Sequence, residues 1–138
     1  MTSTKQRPLF VNLMIEDIER SKRFFEALGF SFNPQFEDEN GCCLVINEQA
    51  FAMLLKPDFF KTFTERKVCD TSTHTEALLC VMVTSREEVD QMIDTALATG
   101  VSVAQPLQDQ GGMYGGSFYD PDGHHWEVGF MDFAGEQG

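Results

Sequence analysis

One pattern occurs twice in this chain, and the repetition limits what it can fold into. Phe10-Val11-Asn12-Leu13-Met14-Ile15 leads through Glu16-Asp17 into a helix-like stretch to Leu28, followed by Gly29-Phe30-Ser31-Phe32. Leu78-Leu79-Cys80-Val81-Met82-Val83 leads through Thr84-Ser85 into a second helix-like stretch, followed by Gly100-Val101-Ser102-Val103. The Gly-apolar-Ser-apolar segments align without a gap, whereas the strands before them align only if the second helix is a few residues longer. This is a duplicated β-α-β unit that has drifted. Turn signals at Asp38-Glu39-Asn40-Gly41 and Asp120-Pro121-Asp122-Gly123 then separate further strands. Each half therefore reads as β-α-β-β-β, over about 7–55 and about 76–133, joined by a crossover over about 56–75. Pro57 and the aromatics Phe59, Phe60 and Phe63 predict a short helix in that crossover.

With 138 residues, 42% of them hydrophobic and 23% charged, the chain is expected to be one globular domain with a real core. No run approaches the roughly 20 apolar residues that span a bilayer. Met1 to Pro8 is polar and too short for a signal-peptide core. A cytoplasmic protein without membrane contact is expected. A net charge of −12 argues against nucleic-acid binding, which needs clustered basic residues; cationic and neutral partners stay open. Cys42, Cys43, Cys69 and Cys80 show no C-x-x-C spacing, so they read as reduced, small apolar filler.

Asp17 is placed to cap the first helix, whose apolar positions are Ile18, Phe24, Phe25 and Leu28, with Gly29 as its stop. Ser85-Arg86-Glu87-Glu88 reads as a capping box, and Val89, Met92, Ile93, Ala96 and Leu97 recur at helical spacing before Gly100. The polar residues Glu19, Arg20, Lys22, Glu87, Asp90 and Asp94 read as solvated surface. Neither copy alone has enough core. The sheets are therefore expected to join in one curved, mixed surface with helices outside, an α+β arrangement enclosing a cup. Alternation puts Val11, Leu13, Ile15, Leu79, Val81 and Val83 under the helices, and Phe10, Asn12, Met14, Leu78, Cys80 and Met82 toward the cup.

The two modules, Asp17-Ile18-Glu19-Arg20-Ser21 followed by Phe24-Phe25-x-x-Leu28-Gly29-Phe30, and Asp120-Pro121-Asp122-Gly123-His124-His125-Trp126-Glu127 together resemble the vicinal oxygen chelate superfamily. That superfamily includes glyoxalase I, extradiol dioxygenases, fosfomycin-resistance enzymes and bleomycin-resistance proteins. The resemblance covers nearly the whole chain and is specific for the fold more than for activity, since this scaffold hosts both metal chemistry and metal-free binding. It implies metal ligands on the opening and closing strand of each module, at Phe10, Met53, Leu78 and Glu127. Only Glu127 can hold a hard or borderline divalent ion, and such a site needs at least three donors, so no metal and no cofactor is expected. A displaced site of His125, Glu127 and Cys80 is an alternative, opposed by a pleat spacing of about 7 Å. His124 is expected to complete the turn in solvent. Glu127 is equally open to a structural role, paired with His125, Asn12 or Tyr114.

Gln110-Gly111-Gly112-Met113-Tyr114-Gly115-Gly116 lacks the Lys-Ser/Thr of a phosphate loop and reads as a flap carrying Met113 and Tyr114 to the cup rim. No nucleophile–base pattern is present. The expected function is binding of a cationic or aromatic small molecule, with Phe10, Asn12, Met53, Leu78, Cys80, Met82, Tyr114, His125 and Glu127 as its contacts. The alternative is a glyoxalase- or dioxygenase-like lyase or isomerase, with Glu127 as catalytic base or ligand to a divalent ion. A third possibility is a vestigial cup and a working dimer surface. The resemblance implies a homodimer, and Phe59, Phe60, Phe63, Phe130 and Phe133 need burial.

Overall fold

In the structure, a computed structural model that describes residues 5–132, the chain divides into two compact units that meet between Val68 and Cys69 in the sequence. The crossover is thus shared between them, and Phe133 lies outside the described residues. The first unit runs β1 (Leu9–Met14), α1 (Ile18–Ala27), β2 (Ser31–Phe32), β3 (Gly41–Asn47), β4 (Ala50–Leu55) and a short helix α2 (Pro57–Phe60). The second runs β5 (Leu78–Met82), α3 (Arg86–Ala98), β6 (Gln108–Gln110), β7 (Met113–Tyr119) and β8 (His125–Met131). Each unit holds one four-stranded mixed sheet, ordered β1-β4-β3-β2 and β5-β8-β7-β6, in which only the opening and closing strands pair in parallel. The duplicated β-α-β-β-β plan is the observed one.

The two longer helices, α1 and α3, begin where the cap residues predict. Asp17 Oδ1 accepts from the Arg20 amide at 3.1 Å, and Ser85 Oγ from the Glu88 amide at 3.1 Å. The box is modified at α3: Glu88 turns back to the Thr84 amide and hydroxyl rather than to Ser85. The core of the first unit holds Leu13, Ile15, Phe24, Phe25, Leu44 and Leu54, with Phe24 and Phe25 edge to face at 5.0 Å. The core of the second holds Val89, Ile93, Ala96, Phe118, Trp126 and Val128. Each large apolar side chain among them contributes roughly 1.5–3 kcal/mol of burial, which fixes which face of each sheet meets its helix. All four cysteines are free thiols; burial pushes Cys42 up to about 12, as suits inert core filler.

The copies diverge after the helix. Ser31–Phe32 pairs with Leu44–Val45 as a strand, but Val103 makes only an isolated bridge to Phe118, and the fourth strand of the second sheet is Gln108–Gln110. The turn before β8 is held by Asp120, which is buried. Its Oδ1 accepts from the Asp122 and His124 amides at 2.9 and 3.0 Å, and its Oδ2 from Trp126 Nε1 at 3.0 Å. His124 departs from expectation: it is 3% exposed and its Nδ1 meets Glu76 Oε1 at 2.9 Å, because the turn folds its ring inward rather than into water. Of the crossover aromatics, Phe59 and Phe63 pack edge to face at 5.1 Å yet remain exposed.

Candidate functional site

Register alone assembles a chemically distinct face on the second sheet. Along β8, His125, Glu127 and Gly129 stand beside Leu78, Cys80 and Met82 of β5 on one side, and beside Tyr119, Ser117 and Gly115 of β7 on the other. With period-2 alternation, all nine positions share the face away from α3, whose Ile93 packs instead against the opposite side at Gly116. Glu127 is central, between Cys80 and Ser117.

Glu127 Oε2 lies 3.2 Å from His125 Nε2, one pleat along the strand, and His125 sits edge to face against Tyr119 at 5.6 Å. Of the three partners expected for Glu127 in a structural role, His125, Asn12 and Tyr114, the one within hydrogen-bond reach is His125. Beside the carboxylate is a cleft of about 110 Å³ lined by Cys80, Gln105, Gln108, Met113, Ser117 and Glu127, among others. Ser117 is occupied in holding the cleft wall, with its Oγ accepting from the Gln105 amide at 2.8 Å. Partial burial, and then the Glu127 charge, hold the Cys80 thiol above its ordinary range.

Leu78, Cys80, Met82, His125 and Glu127 are therefore brought together as expected from alternation. Phe10, Asn12 and Met53 share the corresponding face of the first sheet, where Asn12 is in register with Met53, and Phe10 stacks on Phe51 at 4.7 Å. Tyr114 is not on the Glu127 face. It alternates with Ser117 to the helix side, donates to Asp90 Oδ1 at 2.5 Å, and lies under the Arg86 guanidinium, 4.7 Å from its ring centre. Arg86 also makes a two-point ion pair with Asp109 at 2.8 and 3.1 Å. These contacts clasp the β6–β7 hairpin to α3, so Asp90 is part of a clasp rather than plain surface. Ser117, Gln105 and Gln108 were not foreseen. The hairpin turn signalled at Asp120–Gly123 could have placed Ser117 opposite Glu127; the glutamines, in an irregular segment, carried no signal.

A divalent ion of the kind the fold family uses does not fit these residues. Three of the four corresponding positions are Phe10, Met53 and Leu78, without a donor suited to zinc, nickel, manganese or iron. Among the described residues no three His, Cys, Asp or Glu side chains come together as such a site, including the His125, Glu127 and Cys80 set. Nor is any helix among the described residues long and apolar enough to cross a membrane.

The family model described as bleomycin resistance protein-like N-terminal matches residues 7–47. A hypothetical protein of Staphylococcus aureus is similar over 93% of this chain and 95% of its own, at 29% identity and a TM-score of 0.76. A glyoxalase-related enzyme of Fulvimarina pelagi is similar over 91% and 88%, at 25% identity and a TM-score of 0.74. A glyoxalase/bleomycin resistance protein/dioxygenase family enzyme of Burkholderia phytofirmans shares the fold over 89% and 97%, at 17% identity and a TM-score of 0.74. No curated protein matches the chain. Fold and family likeness together bear out the resemblance to the vicinal oxygen chelate superfamily.

Proposed function

We propose that the protein binds a small organic molecule bearing a cationic group, in the manner of the bleomycin-resistance branch, with the Glu127 carboxylate as counter-charge. The observation that carries this reading is a carboxylate turned into a cleft whose lining includes the apolar wall of Met113 and Cys80 but no lysine or arginine among the described residues. Glu127 is partly exposed and its neighbour within hydrogen-bond reach is His125, so a ligand's ammonium or amidinium group would meet a carboxylate with no lysine or arginine in the cleft lining to compete for it. Gln105 and Gln108 add amide oxygens and hydrogens for the ligand's polar rim. Thermal shift with a panel of organic cations and their neutral isosteres tests it. A saturable rise with the cations alone, abolished in Glu127→Gln, is the expected result; equal response to both sets would refute it.

One observation supports a second reading, in which Glu127 is a general base. His125 lies within hydrogen-bond reach of the carboxylate and could orient it or share its proton. Solvent-deuterium incorporation into carbonyl substrates, lost in Glu127→Gln, would separate catalysis from binding. We also propose a homodimer, on the exposure of Phe59 and Phe63, with light scattering as its check.

A further inference from the structure

Gly129 of β8 faces Met82 of β5 on one side and Gly115 of β7 on the other, so no β8 side chain stands between the flanking strands at that level. A Cβ there would lie 2.7 Å from Met113 Cε and 3.3 Å from Met82 Sδ. The Met82 sulfur and the methyl end of Met113 thus lie over bare backbone. Cys80, one pleat from Met82, places its Sγ 3.8 Å from Met82 Sδ. Cys80 and Met113 also wall the cleft into which Glu127 turns.

We propose that this cluster binds a soft monovalent metal ion, Cu(I), through the Cys80 thiolate and the Met82 and Met113 thioethers. Softness decides the ion: thiolate and thioether sulfur select Cu(I), whereas carboxylate, carbonyl and water oxygens suit harder ions. The same chemistry that fails to hold a hard divalent ion at the family's positions suits a soft one a pleat away. Geometry agrees. Two bonds of about 2.3 Å, the length of a metal–thiolate bond to zinc, join sulfurs up to about 4.6 Å apart, and Cys80 and Met82 already stand at 3.8 Å. On binding, the ion replaces the proton of the Cys80 thiol, which leaves to solvent, and no electron moves. Glu127 at the edge supplies a further negative charge toward the cation.

The site does not depend on the organic-ligand reading, because none of its three ligands is Glu127. Reduced full-length protein, kept anaerobic, is titrated with Cu(I) against bicinchoninate, whose coloured complex reports the ion it retains. The protein should withdraw one equivalent. Cys80→Ser and Met82→Leu should each weaken binding by at least roughly 10- to 100-fold, the loss that removal of a mere supporting group already causes. Met113→Leu should weaken it less. Leucine preserves the methionine volume, and both Cys80 and Met82 are exposed, so far-UV circular dichroism should be unchanged in these variants. X-ray absorption should show sulfur neighbours at about 2.3 Å. Failure of the wild type to compete, or equal affinity in Cys80→Ser, which would move the ion to Cys69, overturns the proposal. Neither failure alters the response of Glu127→Gln to organic cations, so the two readings fall separately.

Discussion

The two modules share one plan and part company beyond the helix. In the first, Ser31–Phe32 joins the sheet directly after α1. In the second, a longer α3 of 13 residues against 10 is succeeded by a single bridge at Val103, an irregular segment through Gln105, and only then an edge strand at Gln108–Gln110. That extra chain is what walls the Glu127 cleft, with Ser117 holding Gln105 in place. The open face of the first sheet, by contrast, presents Phe10, Asn12, Phe51 and Met53, with a ring stack in place of an acid. Duplication supplied two equivalent scaffolds; the chemistry collected where the copies stopped matching.

The largest test of that contrast lies in the cores. Trp126→Ala and Phe25→Ala each remove a buried aromatic, at about 3–5 kcal/mol. Trp126→Ala should exceed Phe25→Ala in urea unfolding, because it also takes the indole donor from buried Asp120. Equal losses would mean the Asp120 turn does not distinguish the second module.

Next come the close approaches of backbone. A Cβ at Gly41 would run into the Leu54 carbonyl and Leu55, which cannot shift without the sheet, whereas at Gly129 it meets the ends of two flexible methionines. Gly41→Ala should therefore cost about 1–3 kcal/mol in urea unfolding, and Gly129→Ala clearly less. The second variant should nonetheless scatter the sulfur cluster and weaken Cu(I) binding.

Smaller effects separate the helix caps. Ser85→Ala should cost about 1 kcal/mol, at any pH, because the hydroxyl does not titrate. Asp17 differs: the Arg20 amide, more than any other cause, holds its carboxyl below the ordinary range. A lowered acid stabilises the folded form above the unfolded pKa, and that support fades as pH falls through the folded value. Below about pH 4, the protection of the Arg20 amide relative to its intrinsic exchange rate should fall while that of Glu88 holds. A parallel fall at both would remove the distinction.

Much of this was legible beforehand because it rests on local rules. The Asp17 and Ser85 caps, the helical spacing of Val89, Ile93 and Ala96, and the alternation that puts Cys80 and Glu127 on one face all stem from backbone periodicity. His124 and Tyr114 were misplaced for one shared reason. Each found a partner distant in sequence, Glu76 for the imidazole and Asp90 with Arg86 for the phenol, and such a partner outweighs the preference for water of a turn or flap residue. The wall of Gln105 and Gln108 had no periodic signature at all.

Hydrophobic spacing, caps and turn residues, which act between near neighbours, were sufficient to specify two β-α-β-β-β modules and the single acid on an apolar strand face. Strand register and long-range pairing, which arise only once the chain has closed on itself, decided that Glu127 leans on His125, that Tyr114 turns to the helix, and that Met82 and Met113 meet over Gly129 with Cys80 beside Met82.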